Sequence, residues 1–163
     1  MEYLVRAARI IDIDRIVALC GGRLGASGAD GSGPIDAADL LRQLVFLPQA
    51  TVLVAEARRE VAGAAVLTLR PSVRAGGFVG TVDLLAIADR PGAEEIADML
   101  VGEVLRSAAN KACALVEVSL PRDSAEQAVW DRNGFREGSA VLTRNVAHGV
   151  RSVRSPSSMS PRG

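Results

Sequence analysis

The sequence predicts an α/β domain, and three observations carry that reading. Runs rich in β-formers alternate with amphipathic helical stretches from residue 1 to 146. Thr51 to Leu69 holds two such runs around a polar turn, the pattern of an antiparallel hairpin. Val79 to Phe135 then reads as a strand, a Gly-containing loop, a long helix, a second strand and a shorter helix ending at Asn133, Gly134 and Phe135. A strand–loop–helix unit of this kind can receive a phosphate-bearing ligand at the start of its helix. At 163 residues the chain fits one domain with a sizeable core.

The elements follow in order. Tyr3 to Ala7 is a short apolar strand. Asp12 is placed to cap the next helix, where Ile13, Ile16, Val17 and Cys20 make one apolar face. Gly21 and Gly22 stop it. Gly25 to Pro34, rich in Gly, Ser and Asp, reads as a flexible connector that does not match a Walker loop. A second helix is expected from about Ile35 to Phe46, with Ala37, Leu40, Leu41 and Leu44 inward and Pro48 as its end. Thr51–Ala57 and Val61–Leu69 form the hairpin around Arg58, Arg59 and Glu60. Pro71 to Gly77 is a loop, and Phe78 to Ile87 the next strand.

The helix from Ala93 to about Ala109 carries Ile96, Leu100, Val104 and Ala108 as its apolar stripe, with Glu95, Asp98, Glu103 and Arg106 in water. Ala114 to Leu120 is an apolar run containing Glu117, which predicts a strand buried on both faces. Asp123 and Glu126 form a capping box before the last helix, which exits at Asn133 and Gly134. Ser139 to Val146 is expected as a final strand. Residues 147–163, dominated by Ser, Pro, Arg and Gly, read as a disordered tail.

Composition excludes some classes. The formal net charge is zero, so no global field draws in nucleic acid or an anionic membrane. The N-terminus has charges at Glu2, Arg6 and Arg9 and does not read as a signal peptide. No stretch has the length and apolarity of a spanning helix. A cytoplasmic, reduced protein is expected. Cys20 and Cys113 fit no CxxC pattern and read as small core residues. No His, Cys and carboxylate cluster has metal-ligand spacing, and no Ser–His–Asp triad assembles. His148, the single histidine, falls in the tail.

Particular phrases sharpen the reading. Val54, Ala55 and Glu56, a polar turn, then Val61, Ala62 and Gly63 are followed by Val82 to Ile87 and by a helix from Trp130 ending in Gly134 and Phe135. Their order resembles the GNAT superfamily of acyl-CoA-dependent N-acyltransferases across Tyr3 to Val146. The resemblance implies a mixed, mostly antiparallel, centrally splayed sheet with helices on both faces. It implies acetyl transfer from acetyl-CoA, with no metal, to a primary amine of a small molecule or protein.

The resemblance also assigns roles. Pantetheine would run along Leu85, Ala86 and Ile87, in the gap between the fourth and fifth strands. The pyrophosphate would sit at Arg90, Gly92 and Ala93. Two departures bear on this. Glu95 stands where the family has a glycine, and Gly92 where it has a basic residue. Glu94 and Glu95 suit a first helical turn, worth about 0.3–1 kcal/mol each, yet they repel a pyrophosphate. Arg90 reads either as a phosphate clamp or as a solvated loop residue. Asp83, the one acid on its strand, reads either as a general base raised in pKa among apolar neighbours or as a rim residue. By strict alternation it shares a face with Val79, Thr81, Leu85 and Ile87.

Trp130 stands where many relatives have a tyrosine acid. Its indole can donate a hydrogen bond but not a proton, and packing is its simpler role. Thr81, Ser119 and Ser124 are hydroxyls expected near the cleft, Ser124 as a cofactor contact. A module that senses acyl-CoA or binds a protein partner without catalysis is the competing function. A subunit that works as a homodimer or with a partner is the third.

Overall fold

The computed structural model describes residues 2–21, 35–121 and 123–138, with Leu142 and Arg144. Strand β1 (Leu4–Ala7) leads through a 3-10 turn (Ile10–Asp12) into helix α1 (Ile13–Cys20). Helix α2 (Ala37–Leu44), strands β2 (Ala50–Ala57), β3 (Glu60–Ser72) and β4 (Gly77–Ile87), helix α3 (Ala93–Asn110), strand β5 (Cys113–Val118) and helix α4 (Ser124–Arg132) follow. The expected connector at 25–34 and the tail at 147–163 lie outside the described residues, as does the expected strand at 139–146 but for Leu142 and Arg144. No helix of the described residues is long and apolar enough to cross a membrane.

The five strands form one sheet in the order β1-β2-β3-β4-β5. The first three pairings are antiparallel and β4–β5 is parallel, because α3 must carry the chain back before β5 begins. The hairpin is as expected. Arg58 and Arg59 make its two-residue turn, both with positive φ (50° and 65°), the handedness that matches the twist of the flanking strands.

Each face of the sheet has its own core. On one, α3 and Trp130 of α4 pack on Leu53, Ala55, Ala65, Leu67 and Val82. On the other, α1 and Leu41 of α2 pack on Val52, Val54, Ala64, Val66 and Ala86. The α3 stripe is buried as the spacing requires, with Ala97 and Val101 added. Gly63 lets α3 approach. A Cβ there would stand 2.8 Å from Leu100 Cδ1 and 2.9 Å from Ile96 Cγ2. Cys20 and Cys113 lie in different layers, each packed in or against a core, and burial pushes the Cys113 thiol pKa up.

Four expectations need correcting. Leu40 is exposed, because α2 touches the sheet only around Leu41 and Leu44. The β3 strand runs on through Pro71 and Ser72, which pair with Phe78 and Gly77. Strand β5 is only half-buried, with Leu115 exposed, since among the described residues it pairs with β4 alone. Its Glu117 accepts from Arg70 and Thr81. Asp12 does not cap α1 with its side chain. It is fully buried and accepts from Arg9 N at 2.7 Å and from both terminal nitrogens of Arg6, at 2.8 and 3.0 Å. Arg6 Nε also donates to Glu56 at 2.6 Å. These partners hold the Asp12 carboxyl below the usual carboxylate range, the Arg6 bond contributing most.

Candidate active site

The site begins where two strands stop pairing. The β4–β5 register runs from Phe78–Cys113 to Val82–Val118 and ends there. Strand β4 continues from Asp83 to Ile87, still paired to β3 but with no β5 partner among the described residues. A cleft of about 210 Å³ opens at this point. Thr81 to Leu85 of β4, Val118 at the end of β5, Ser119 and Leu120 beyond it, and Glu126 and Trp130 of α4 line it.

Hydrogen-bond direction sharpens the expectation for Leu85, Ala86 and Ile87. Ala88 N donates to Ala62 O of β3 at 2.8 Å. In an antiparallel ladder alternate residues point to the same neighbour, so Ala86 also serves β3. The N–H and C=O groups of Leu85 and Ile87 therefore turn toward the side that β5 has left. The backbone groups of Leu85 and Ile87 thus face away from β3, and those of Ala86 face it.

Asp83 sits at a bulge. Leu67 pairs with Val82 and Val66 with Leu84, so Asp83 is the extra residue on β4. The bulge reverses the alternation. Val82 and Leu85 face the α3 core, whereas Leu84 and Ala86 face the α1 core. The expected common face of Asp83 with Leu85 and Ile87 is therefore broken. Asp83 is exposed on the cleft's rim rather than set among apolar neighbours.

Gly92, in the left-handed region at φ 88°, precedes α3, and the helix has no side-chain cap. Ile96 N donates to Gly92 O and Ala93 N to Arg90 O, so of the first-turn amides those of Glu94 and Glu95 lie outside the helix's own ladder. Glu94 and Glu95 are exposed beside them. Arg90 lies in the preceding loop with its guanidinium 2.7 Å from Glu60 Oε1. That carboxylate, and then the Tyr3 hydroxyl, raise the Arg90 pKa. Arg90 is thus a paired residue rather than a freely solvated one. Sequence reasoning missed Glu60 as a contact, since it opens β3 and meets Arg90 only once that strand is in place.

The last helix is positioned by its two ends. Asp123 Oδ1 accepts from Glu126 N at 2.8 Å, one half of the expected capping box. At the other end Asn133 Nδ2 donates to Val129 O and to Asp98 Oδ1 of α3, and Arg132 reaches the same carboxylate. Gly134 takes the left-handed exit at φ 81°. These contacts place Trp130 on the cleft wall, 2% exposed, its ring edge-on to Phe135 at 4.9 Å. Ser124 is exposed at the start of α4 and is not among the cleft residues, while Ser119 and Thr81 are. Ala93 opens α3. Among the described residues no group of His, Cys, Asp and Glu could hold a metal ion.

Searches by sequence match no family model and no curated protein. Solved structures are similar. One is a transcriptional regulator from Bacillus halodurans C-125, with a TM-score of 0.73 and 17% identity over 89% of this chain and 100% of that one. The aminoglycoside antibiotic 6'-N-acetyltransferase from Acinetobacter baumannii gives 0.70 and 18% over 91% and 100%. The glucosamine-6-phosphate N-acetyltransferase from Arabidopsis thaliana gives 0.70 and 12% over 89% and 99%. The chain has the GNAT fold. The resemblance read from the hairpin, the fourth strand and the Gly-Phe helix end is upheld at the level of architecture.

Proposed function

We propose that this chain is an acyl-CoA-dependent N-acetyltransferase that moves an acetyl group from acetyl-CoA to a primary amine. The observation that carries the reading is the end of β4–β5 pairing at Val82–Val118, with β4 continuing to Ile87 on β3 and without a β5 partner among the described residues. Unpaired strand backbone beside a cleft is costly unless something hydrogen-bonds to it. The amide-rich pantetheine arm fits that need at Leu85 and Ile87. The uncapped start of α3 at Gly92 and Ala93 suits the pyrophosphate. When bound, the thioester supplies an activated acetyl carbonyl. The exposed carboxylate of Asp83 takes the proton from the amine directly or through water. Asp83 and Glu126 at the cleft also favour a cationic amine over an anionic acceptor.

A second reading has its own support. Glu94 and Glu95 oppose a pyrophosphate, and Arg90 is engaged by Glu60. A non-catalytic module that senses acyl-CoA or binds a protein partner accommodates both facts. Thermal melting with acetyl-CoA, followed by thiol release across a panel of amines, separates the readings. A ligand at 100 times its Kd adds about 2.7 kcal/mol of stability. A melting shift with thiol release supports the transferase. A shift without release supports the sensor. No shift at millimolar acetyl-CoA removes coenzyme A from both.

A further inference from the structure

We infer that a hollow beside α1 and the β2–β3 turn, apart from the β4–β5 cleft, is a binding site for a small organic phosphate monoester. Its volume is about 480 Å³, a size common among small-molecule sites. Leu19 of α1, Val61 of β3 and Ala88 just past β4 give it an apolar side, and Arg15, Arg59 and Glu60 a charged one. Leu19 and Val61 belong to the α1 core, whereas Val82, Leu85 and Trp130 of the cleft belong to the α3 core. The two spaces share no lining residue. Nothing in this site depends on the acyl-CoA reading.

Two independent observations mark the hollow out. The first is charge. Arg15 Nη1 donates to Arg59 O at 3.1 Å, which sets the Arg15 guanidinium against the hairpin turn. Neither Arg15 nor Arg59 has a carboxylate partner among the described residues. Glu60, the one carboxylate of the lining, is itself held by Arg90 at 2.7 Å. The lining is left with two uncompensated positive charges beside an apolar wall, where their pull on an anion is stronger than in open water. The second observation is backbone strain. Arg58 and Arg59 sit in the left-handed region, at φ 50° and 65°, in a two-residue turn where Asn-Gly would be relaxed. Keeping arginines there forgoes stability, and strain of this kind clusters at ligand sites.

The charges select the ligand class. A guanidinium offers paired N–H donors that match two oxygens of one phosphate. A phosphate monoester carries close to two negative charges at neutral pH, which balances Arg15 and Arg59. A sulfate monoester of the same shape carries one. The apolar wall of Leu19, Val61 and Ala88 favours an organic group on the phosphate over inorganic phosphate.

Phenyl phosphate, phenyl sulfate and inorganic phosphate, titrated into the nitrogen-15-labelled full chain, test the assignment. Phenyl phosphate is expected to shift the amides of Leu19, Arg59, Val61 and Ala88 while those of Val118 and Ser119 in the cleft stay in place. Phenyl sulfate and inorganic phosphate should each bind about tenfold more weakly. Arg15→Gln is expected to weaken phenyl phosphate about tenfold, the loss of one charge-assisted contact. Arg58→Asn combined with Arg59→Gly should do the same while raising the melting temperature, which separates lost recognition from lost folding. If phenyl phosphate moves none of those amides at tens of millimolar, or binds both variants as tightly as the parent, the inference fails. It fails equally if phenyl sulfate binds as well as phenyl phosphate. If coenzyme A displaces phenyl phosphate and dephospho-coenzyme A does not, the hollow belongs to the coenzyme and a separate ligand is overturned.

Discussion

Asp12 and Trp130 are both buried polar residues, and they are opposites. The carboxylate of Asp12 is fully covered and accepts hydrogen bonds from Arg6 and from the backbone of Arg9. The indole nitrogen of Trp130 is equally hidden and has no partner. The first lies between β1 and α1, where every strand is paired as far as the register runs. The second belongs to a residue lining the cleft where the β4–β5 pairing ends. A satisfied buried polar group helps hold a fold together, and an unsatisfied one carries a desolvation cost that nothing in the fold offsets.

Mutations can break that comparison. Asp12→Ala strips the half-buried Arg6 guanidinium of its main partner, and unfolding in denaturant is expected to show a loss of about 3 kcal/mol. That is the low end for a broken buried pair, because Glu56 still holds Arg6. The sign with pH follows from the lowered Asp12 pKa. Its stabilisation is present above the ordinary carboxylate pKa of about 3.9 and is lost as pH falls through the lower folded value. Asp12→Asn should therefore flatten the acid limb of the stability profile below about pH 4. An unchanged limb would assign that limb to other carboxylates.

Gly63→Ala tests the close contact between β3 and α3. Two fully buried side chains, Ile96 and Leu100, block the new methyl, and the expected loss is about 2 kcal/mol by thermal or chemical melting. Trp130→Phe sharpens the contrast with Asp12. It deletes ring volume but also an unpaired donor, and should cost about 1 kcal/mol, well below Asp12→Ala. Replacing Arg58 and Arg59 by Asn and Gly relieves two left-handed residues in the hairpin turn and should raise stability by about 1 kcal/mol. The smallest stability effect is expected from Glu60→Gln, within about 0.5 kcal/mol for a pair whose carboxylate is exposed. Calorimetry on that variant should nevertheless show tighter acetyl-CoA binding, since Arg90 is released toward the start of α3. Unchanged or weaker binding would remove Arg90 from the phosphate site.

Local patterns were legible where local physics decides them. The 3.6-residue spacing of Ile96, Leu100, Val104 and Ala108 placed the α3 stripe, and all four are buried. The polar turn between two β-rich runs placed the hairpin, and Gly134 placed the end of α4. The site was legible only in outline. Leu85 and Ile87 were named, but the bulge at Asp83 was not, because it arises from the register of β4 against Val66 and Leu67 of another strand. Strict alternation cannot express such a step. Arg6 and Asp12 looked like unrelated charges until β1 and the 3-10 turn brought them within 2.8 Å. The apolar run of β5 looked doubly buried, yet burial depends on neighbours that a strand's own composition does not contain.

Read alone, the chain determined its elements, their order and the family of folds they resemble, because helix periodicity, β-propensity, caps and turn residues act over a few positions. Tertiary structure decided the rest. It ended the β4–β5 ladder at Val82, moved Asp83 to an exposed rim, joined Arg90 to Glu60 and left one indole nitrogen unpaired. Each of these depends on hydrogen bonds and ion pairs between residues far apart in the chain, and such partners exist only once the sheet and its helices have packed.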